Sequence, residues 1–128
     1  MAVLPDVVCA GPALSSDGVL IAAGASTANT VTLRGAHFNQ YLAIVLSTTT
    51  ASAGNTVTVT VNGITTTGLT YLILATTAIA TVTNTVLQIG PGLPATANAS
   101  TNAIVPDNIQ VVVTIAGTVA YGIDYLTS

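Results

Sequence analysis

Between Thr56 and Val61 the chain alternates hydroxyl and branched apolar side chains without a break, Thr-Val-Thr-Val-Thr-Val. Successive side chains of a strand point to opposite faces, so Val57, Val59 and Val61 share one face and Thr56, Thr58 and Thr60 the other. The same period of two returns at Asn108–Ala116, with Ile109, Val111, Val113 and Ile115 on one side. It returns again at Thr118–Leu126, with Val119, Tyr121, Ile123 and Tyr125. A helix, with its period of 3.6, does not gather such residues on one face. Side chains branched at Cβ are stiff and fit a pleated surface, and 49 of the 128 residues are Thr, Val or Ile. Lys and Glu, which favour exposed helix surfaces, are absent. The chain is predicted to be all-β.

Other segments fit the same class. Thr30–Arg34 predicts a short strand. Tyr41–Thr48 is a continuous apolar run and predicts a strand buried on both faces. Asn62-Gly63 predicts a hairpin turn, because both central positions of such a turn need positive φ. Strands are expected at Leu69–Leu74, Ile79–Thr83 and Thr85–Ile89, the last closed by Gly90-Pro91-Gly92. Leu93–Pro106 reads as a polar loop with room for a helical turn. Gly117 predicts a tight connection that makes the last two strands a hairpin. About eight short strands at this spacing predict a single-domain antiparallel β-sandwich or jelly-roll-like barrel over residues 29–128. Residues 1–28 lack sustained alternation and hold Pro5 and Pro12, which predicts an extended N-terminal arm with one short strand near Val19–Ala23.

Charge removes several functions. Lys+Arg is 1 and Asp+Glu is 4, for a net charge of −3. Phosphate affinity needs clustered cations, and Arg34 stands alone, so no nucleic-acid partner is expected. Hydrophobic residues make up 51% of the chain, which argues against disorder. Thr, Ser, Asn and Gly interrupt every apolar run before the ~20 residues a membrane helix needs, so no membrane partner is expected. The first residues carry no basic group and no long apolar stretch, so no secretory signal is expected.

Chemistry-bearing residues are sparse. His37 would need a Ser, Asp or Cys partner in space to act as a base. Cys9 is the only cysteine, and zinc needs several Cys or His ligands. Asp6, Asp17, Asp107 and Asp124 form no calcium-loop cluster. Asp124 is a possible partner for Arg34. Gly90-Pro91-Gly92 lacks the following Lys and helix of a phosphate cradle. Asn98-Ala99-Ser100 fits a glycosylation acceptor pattern. Tyr41, Tyr71, Tyr121 and Tyr125 fit core or interface packing better than a sugar platform. The sequence therefore predicts no enzyme, no cofactor and no bound metal. It predicts a hydroxyl-rich, nearly uncharged surface, which suits a chain buried in an assembly.

From about Asn55 to Tyr125 the chain resembles small structural proteins of tailed-phage virions. The likeness runs through Thr56-Val57-Thr58-Val59, Tyr71-Leu72-Ile73-Leu74-Ala75 and Thr85-Val86-Leu87-Gln88-Ile89-Gly90-Pro91-Gly92-Leu93. It continues through the Ala/Asn-rich stretch 95–103, Pro106-Asp107-Asn108-Ile109-Gln110-Val111-Val112-Val113-Thr114 and Ala120-Tyr121-Gly122-Ile123. Gln110 and Val112 stand where that group carries basic residues. The resemblance implies a viral capsid decoration (cement) protein of a bacteriophage, made in the host cytoplasm and seated on the outer capsid surface. Its implied partners are the major capsid protein and further copies of itself, as a homotrimer. The alternatives are a tail or fibre module that contacts the host surface, or a small carbohydrate-binding β-sandwich. Val7, Val8, Leu14, Leu20 and Ile21 make the arm too apolar for a free tail, so they are the expected contacts with the capsid or a neighbouring subunit. The arm closing one edge of its own sheet is the other possibility.

Overall fold

The computed structural model describes residues 16–34 and 41–127. Nine strands lie among them: β1 (Ser16–Ala25), β2 (Asn29–Arg34), β3 (Leu42–Thr50), β4 (Thr56–Ile64), β5 (Thr70–Ala75), β6 (Asn84–Gly90), β7 (Ser100–Asn102), β8 (Asn108–Ala116) and β9 (Ala120–Thr127). They form a five-stranded sheet, β1-β9-β3-β6-β7, and a four-stranded sheet, β2-β8-β4-β5. All pairings are antiparallel except the short parallel contact of β6 with β7. The fold is all-β, a sandwich of two sheets around one core.

The alternating runs build that core. Val57, Val59 and Val61 of β4 and Ile109, Val111 and Val113 of β8 are at most 1% exposed. They pair directly: Val59 lies opposite Val113 and Val61 opposite Val111. The other sheet presents Leu42, Ile44 and Leu46 of β3, Leu87 and Ile89 of β6, and Tyr121 and Ile123 of β9, all buried. Ile115 is half-buried against the same cluster. Each such side chain contributes about 1.5–3 kcal/mol when removed from water, so these rows dominate the stability. Along β3 the opposite face is only half-buried, not buried as the apolar run suggests. No further layer covers it among the described residues.

The expected hairpin of the last two strands is replaced by a change of sheet. β8 already has β2 and β4 on its two edges, and β9 has β1 and β3. Neither has an edge left for the other, so the chain crosses the sandwich at Gly117. Gly117 has φ 78°. The Asn55 side chain occupies the space a Cβ would fill there. Its Oδ1 accepts the Thr118 N–H at 3.0 Å, and its Nδ2 donates to Ser52 Oγ at 2.7 Å.

Asn62-Gly63 is not a turn. Both residues stay in β4, where Asn62 Nδ2 donates to Gln110 Oε1 at 3.2 Å and Gly63 lies beneath the ring of Tyr71. The turn comes later, at Thr65–Gly68, where Gly68 has φ 91° and its N–H donates to Thr65 O at 2.9 Å. The strand expected at Ile79–Thr83 is reduced to one bridge, Val57 with Ile79. Segment 76–79 closes the edge of β4 that β5 leaves free. Val59 N–H donates to Thr76 Oγ1 at 3.0 Å, and Thr76 N–H donates back to Val59 O at 2.9 Å. The 93–106 loop contains β7 and, before it, a single turn in which Thr96 O accepts the Ala99 and Ser100 N–H groups at 3.1 and 3.0 Å, with no helix beyond it.

Part of the expected arm of residues 1–28 belongs to the sandwich. Ser16–Ala25 is an edge strand of the chain's own sheet, paired with β9 through two irregularities. Ile21 opposite Ile123 is 6% exposed, and Leu20 is half-buried against the core. The strand near Val19–Ala23 therefore closes its own sheet, because its apolar side chains complete a core that β9 leaves open on that side.

We expect Gly117→Ala to destabilise the fold by about 1–3 kcal/mol, the cost of left-handed backbone for a residue with a side chain. A denaturant midpoint equal to that of the parent chain would show that the sheet change does not depend on this position.

Candidate interaction faces

The described charges are few: Asp17, Arg34, Asp107 and Asp124. Arg34 and Asp124 are exposed on the outward faces of different sheets, Arg34 on β2 and Asp124 on β9. The pairing considered from sequence is thus not made within the chain, because the whole sandwich separates the two faces. His37, Cys9 and Asp6 lie outside the described residues, as do Val7, Val8 and Leu14. Among the described residues no three His, Cys, Asp or Glu side chains gather as a metal site requires. No helix there is long and apolar enough to cross a membrane.

The outward face of the five-stranded sheet is largely apolar. Val19, Asp124, Val45 and Val86 lie in one row, directly opposite one another across β1, β9, β3 and β6. The neighbouring row runs Asp17, Leu126, Ala43 and Gln88, so the face holds a second acidic position besides Asp124. Val19 is 65% exposed and Leu126 48%. Gly18, Val19, Val45, Asp124 and Leu126 line a shallow depression around the carboxylate. The alternation that buries Ile123 puts Asp124 outward, and no cation stands beside it in these rows.

The outward face of the four-stranded sheet is amide- and hydroxyl-rich. One row runs Thr32, Gln110, Asn62, Leu72, and the next Arg34, Asn108, Ile64, Thr70. Leu72 is 66% exposed. A second shallow depression, by Ser47, Thr48, Val82 and Asn84, is shaped by a structural clasp. Buried Thr48 Oγ1 lies 2.7 Å from Thr81 O and 2.9 Å from Thr83 O, and accepts the Thr83 N–H at 2.9 Å.

The tyrosines serve the fold. Tyr125 covers Gly18, Tyr71 covers Gly63 and Tyr41 covers Gly90, each ring lying where a Cβ would have been. Such pairs restore the packing that a glycine in a strand forfeits. The signal was present in sequence only as four Tyr and many Gly; the register is needed to match them. Tyr121 is fully buried and donates its hydroxyl to Thr27 O at 2.7 Å, which ties the β1–β2 connection to the core. The acceptor pattern at Asn98 is also structural. Asn98 has φ 61°, and Ser100 Oγ, largely buried, donates to Pro94 O at 2.6 Å. At Gly90-Pro91-Gly92, Gly92 has φ 82° and its N–H donates to Asn102 Oδ1 at 2.8 Å, while Tyr41 Oη donates to Pro91 O at 3.1 Å. That glycine-rich stretch is a pinned turn.

No protein-family model matches the chain, and no curated protein or solved structure matches it at significance.

Burial pushes the Tyr121 phenol above its ordinary pKa of 10.0. The folded chain holds this proton longer than the unfolded chain does. The associated stability is therefore complete below about pH 10 and lost as pH rises through the folded value. Tyr121→Phe is expected to cost about 1 kcal/mol at neutral pH, for the lost hydrogen bond, and to flatten the alkaline decline. Paired denaturation curves across pH 8–11 check both; identical alkaline slopes in parent and variant would contradict the assignment.

Proposed function

We propose that the chain is a virion structural protein, a capsid decoration (cement) protein that binds the outer capsid surface and stabilises the shell. The observation that carries this reading is the pair of broad outward faces that are almost free of charge. A monomer in solution normally keeps charge on such faces for colloidal stability. A lattice component gains by lacking it, because uncharged faces meet neighbours without stripping water from ions. The resemblance of the 55–125 stretch to small phage virion proteins supports the same reading.

In this role the sandwich is the rigid body and its flat faces are the contacts. The partners are the major capsid protein and other copies of the chain, with a homotrimer as the proposed unit. The segment before β1 is the proposed capsid anchor through Val7, Val8 and Leu14. Leu20 and Ile21 leave that role, since their apolar area is already used inside the chain. Burying apolar side chains on a partner returns about 25 cal/mol per Å², less the cost of ordering the segment.

Co-sedimentation with empty capsid shells of the virus that encodes the chain tests the proposal. Binding should saturate at a fixed copy number per shell and raise the temperature at which shells rupture. Deletion of residues 2–15 should leave the folded sandwich and abolish binding. Absence of saturable binding by the full chain would overturn the function; undiminished binding by the deleted chain would overturn the anchor alone.

A further inference from the structure

We propose that the outward face around Asp124 docks on a second copy of the chain, against the outward face that carries Arg34, and that these two side chains pair across the contact. The inference rests on the self-association proposed above and names the surfaces that make it.

Arg34 is the only Lys or Arg in the sequence. It is exposed at the end of β2, in the row Arg34, Asn108, Ile64, Thr70. Asp124 is exposed in the middle of the other face, flanked in register by Val19 and Val45. Within one chain the two lie on opposite sides of the sandwich. Between two chains they are complementary: a largely apolar face with Asp124 near its centre, and Asp17 opposite Leu126 in the next row, meets a face of mostly neutral side chains whose one cation is Arg34, with Asp107 beside the Asn108 that faces it. The surrounding Val19, Val45, Val86 and Leu126 on one side, and Ile64 and Leu72 on the other, supply apolar area. The charge pair supplies register, which is the usual contribution of complementary charges to an interface. A guanidinium suits this role because its planar fork meets a carboxylate at two points and it is weakly hydrated.

The contact joins different patches of identical chains. It is therefore head-to-tail, and it either closes a ring or runs on as a filament. This gives it a signature that a two-fold contact lacks. A chain with Arg34→Gln keeps its carboxylate face, and a chain with Asp124→Asn keeps its guanidinium face. Each alone has no complete contact. Mixed, they make one contact and then stop.

The experiment is analytical ultracentrifugation of the full chain, of each variant, and of an equal mixture of the two. The parent should associate. Each variant should dissociate with a Kd raised at least about tenfold, since each leaves a charge in the contact without its partner. The mixture should form a one-to-one pair and nothing larger. Both substitutions are at exposed positions, and circular dichroism checks that the β signal is kept. Asp107→Asn, beside the Asn108 that faces Arg34, should leave association unchanged. A parent chain that sediments as a monomer removes the proposed oligomer and this contact with it. A parent oligomer that either variant forms equally well removes only the pairing, as does a mixture that stays monomeric or a loss of association in Asp107→Asn.

Discussion

The dry layer between the two sheets is the constraint from which the rest follows. It is made of Val, Ile and Leu set at every second position of β3, β4, β6, β8 and β9, with Tyr121 as its largest member. A slip of one residue in any of these strands would turn its whole apolar set to water. Register is therefore strongly specified without charges or disulfides. The layer also dictates where everything else goes. Thr, Asn and Gln take most of the outward positions of β4 and β8, with Ile64, Val112 and Ala116 among them, and Asp124 is outward because Ile123 is inward.

A chain with so few charges must fix its connections by other means, and it uses neutral hydrogen bonds. Asn55 braces the crossing at Gly117, Thr48 clasps residues 81–83, Thr76 finishes the edge of β4, and Tyr121 holds Thr27. Each of these side chains meets backbone groups that the ladder does not pair. Buried backbone groups left without a partner are costly, so short hydroxyl and amide side chains do here what ion pairs do on other surfaces. The outward faces are then left with few charges and available to neighbours.

Much of the fold was legible in the sequence because period-two patterning reports directly on burial. The inward sets of β4 and β8 were readable residue by residue, and so was the turn at Gly117. Strand pairing was not. Thr118–Leu126 follows Asn108–Ala116 so closely that a hairpin is the natural inference, and only the competition for edges sends β9 to the other sheet. Asn62-Gly63 carries the composition of a turn, but a glycine beneath a tyrosine ring has the same letters. The apolar side chains of β1 looked like an arm seeking a partner because their true neighbours on β9 lie about a hundred residues away. Interaction faces were legible only as a shortage of charge; that Arg34 and Asp124 occupy opposite faces required the topology.

The central claim is that β8 and β9 belong to different sheets, since this crossing sets both the closed core and the two opposed outward faces. Cross-strand Hα–Hα contacts from nuclear Overhauser spectra of the labelled chain test it most directly. The account predicts contacts between β4 and β8 in the register of Val59 with Val113, and between β3 and β9 in the register of Leu46 with Ile123. It predicts none between β8 and β9 beyond the residues of the turn itself. A ladder of such contacts running down β8 and β9 from Gly117 would contradict it.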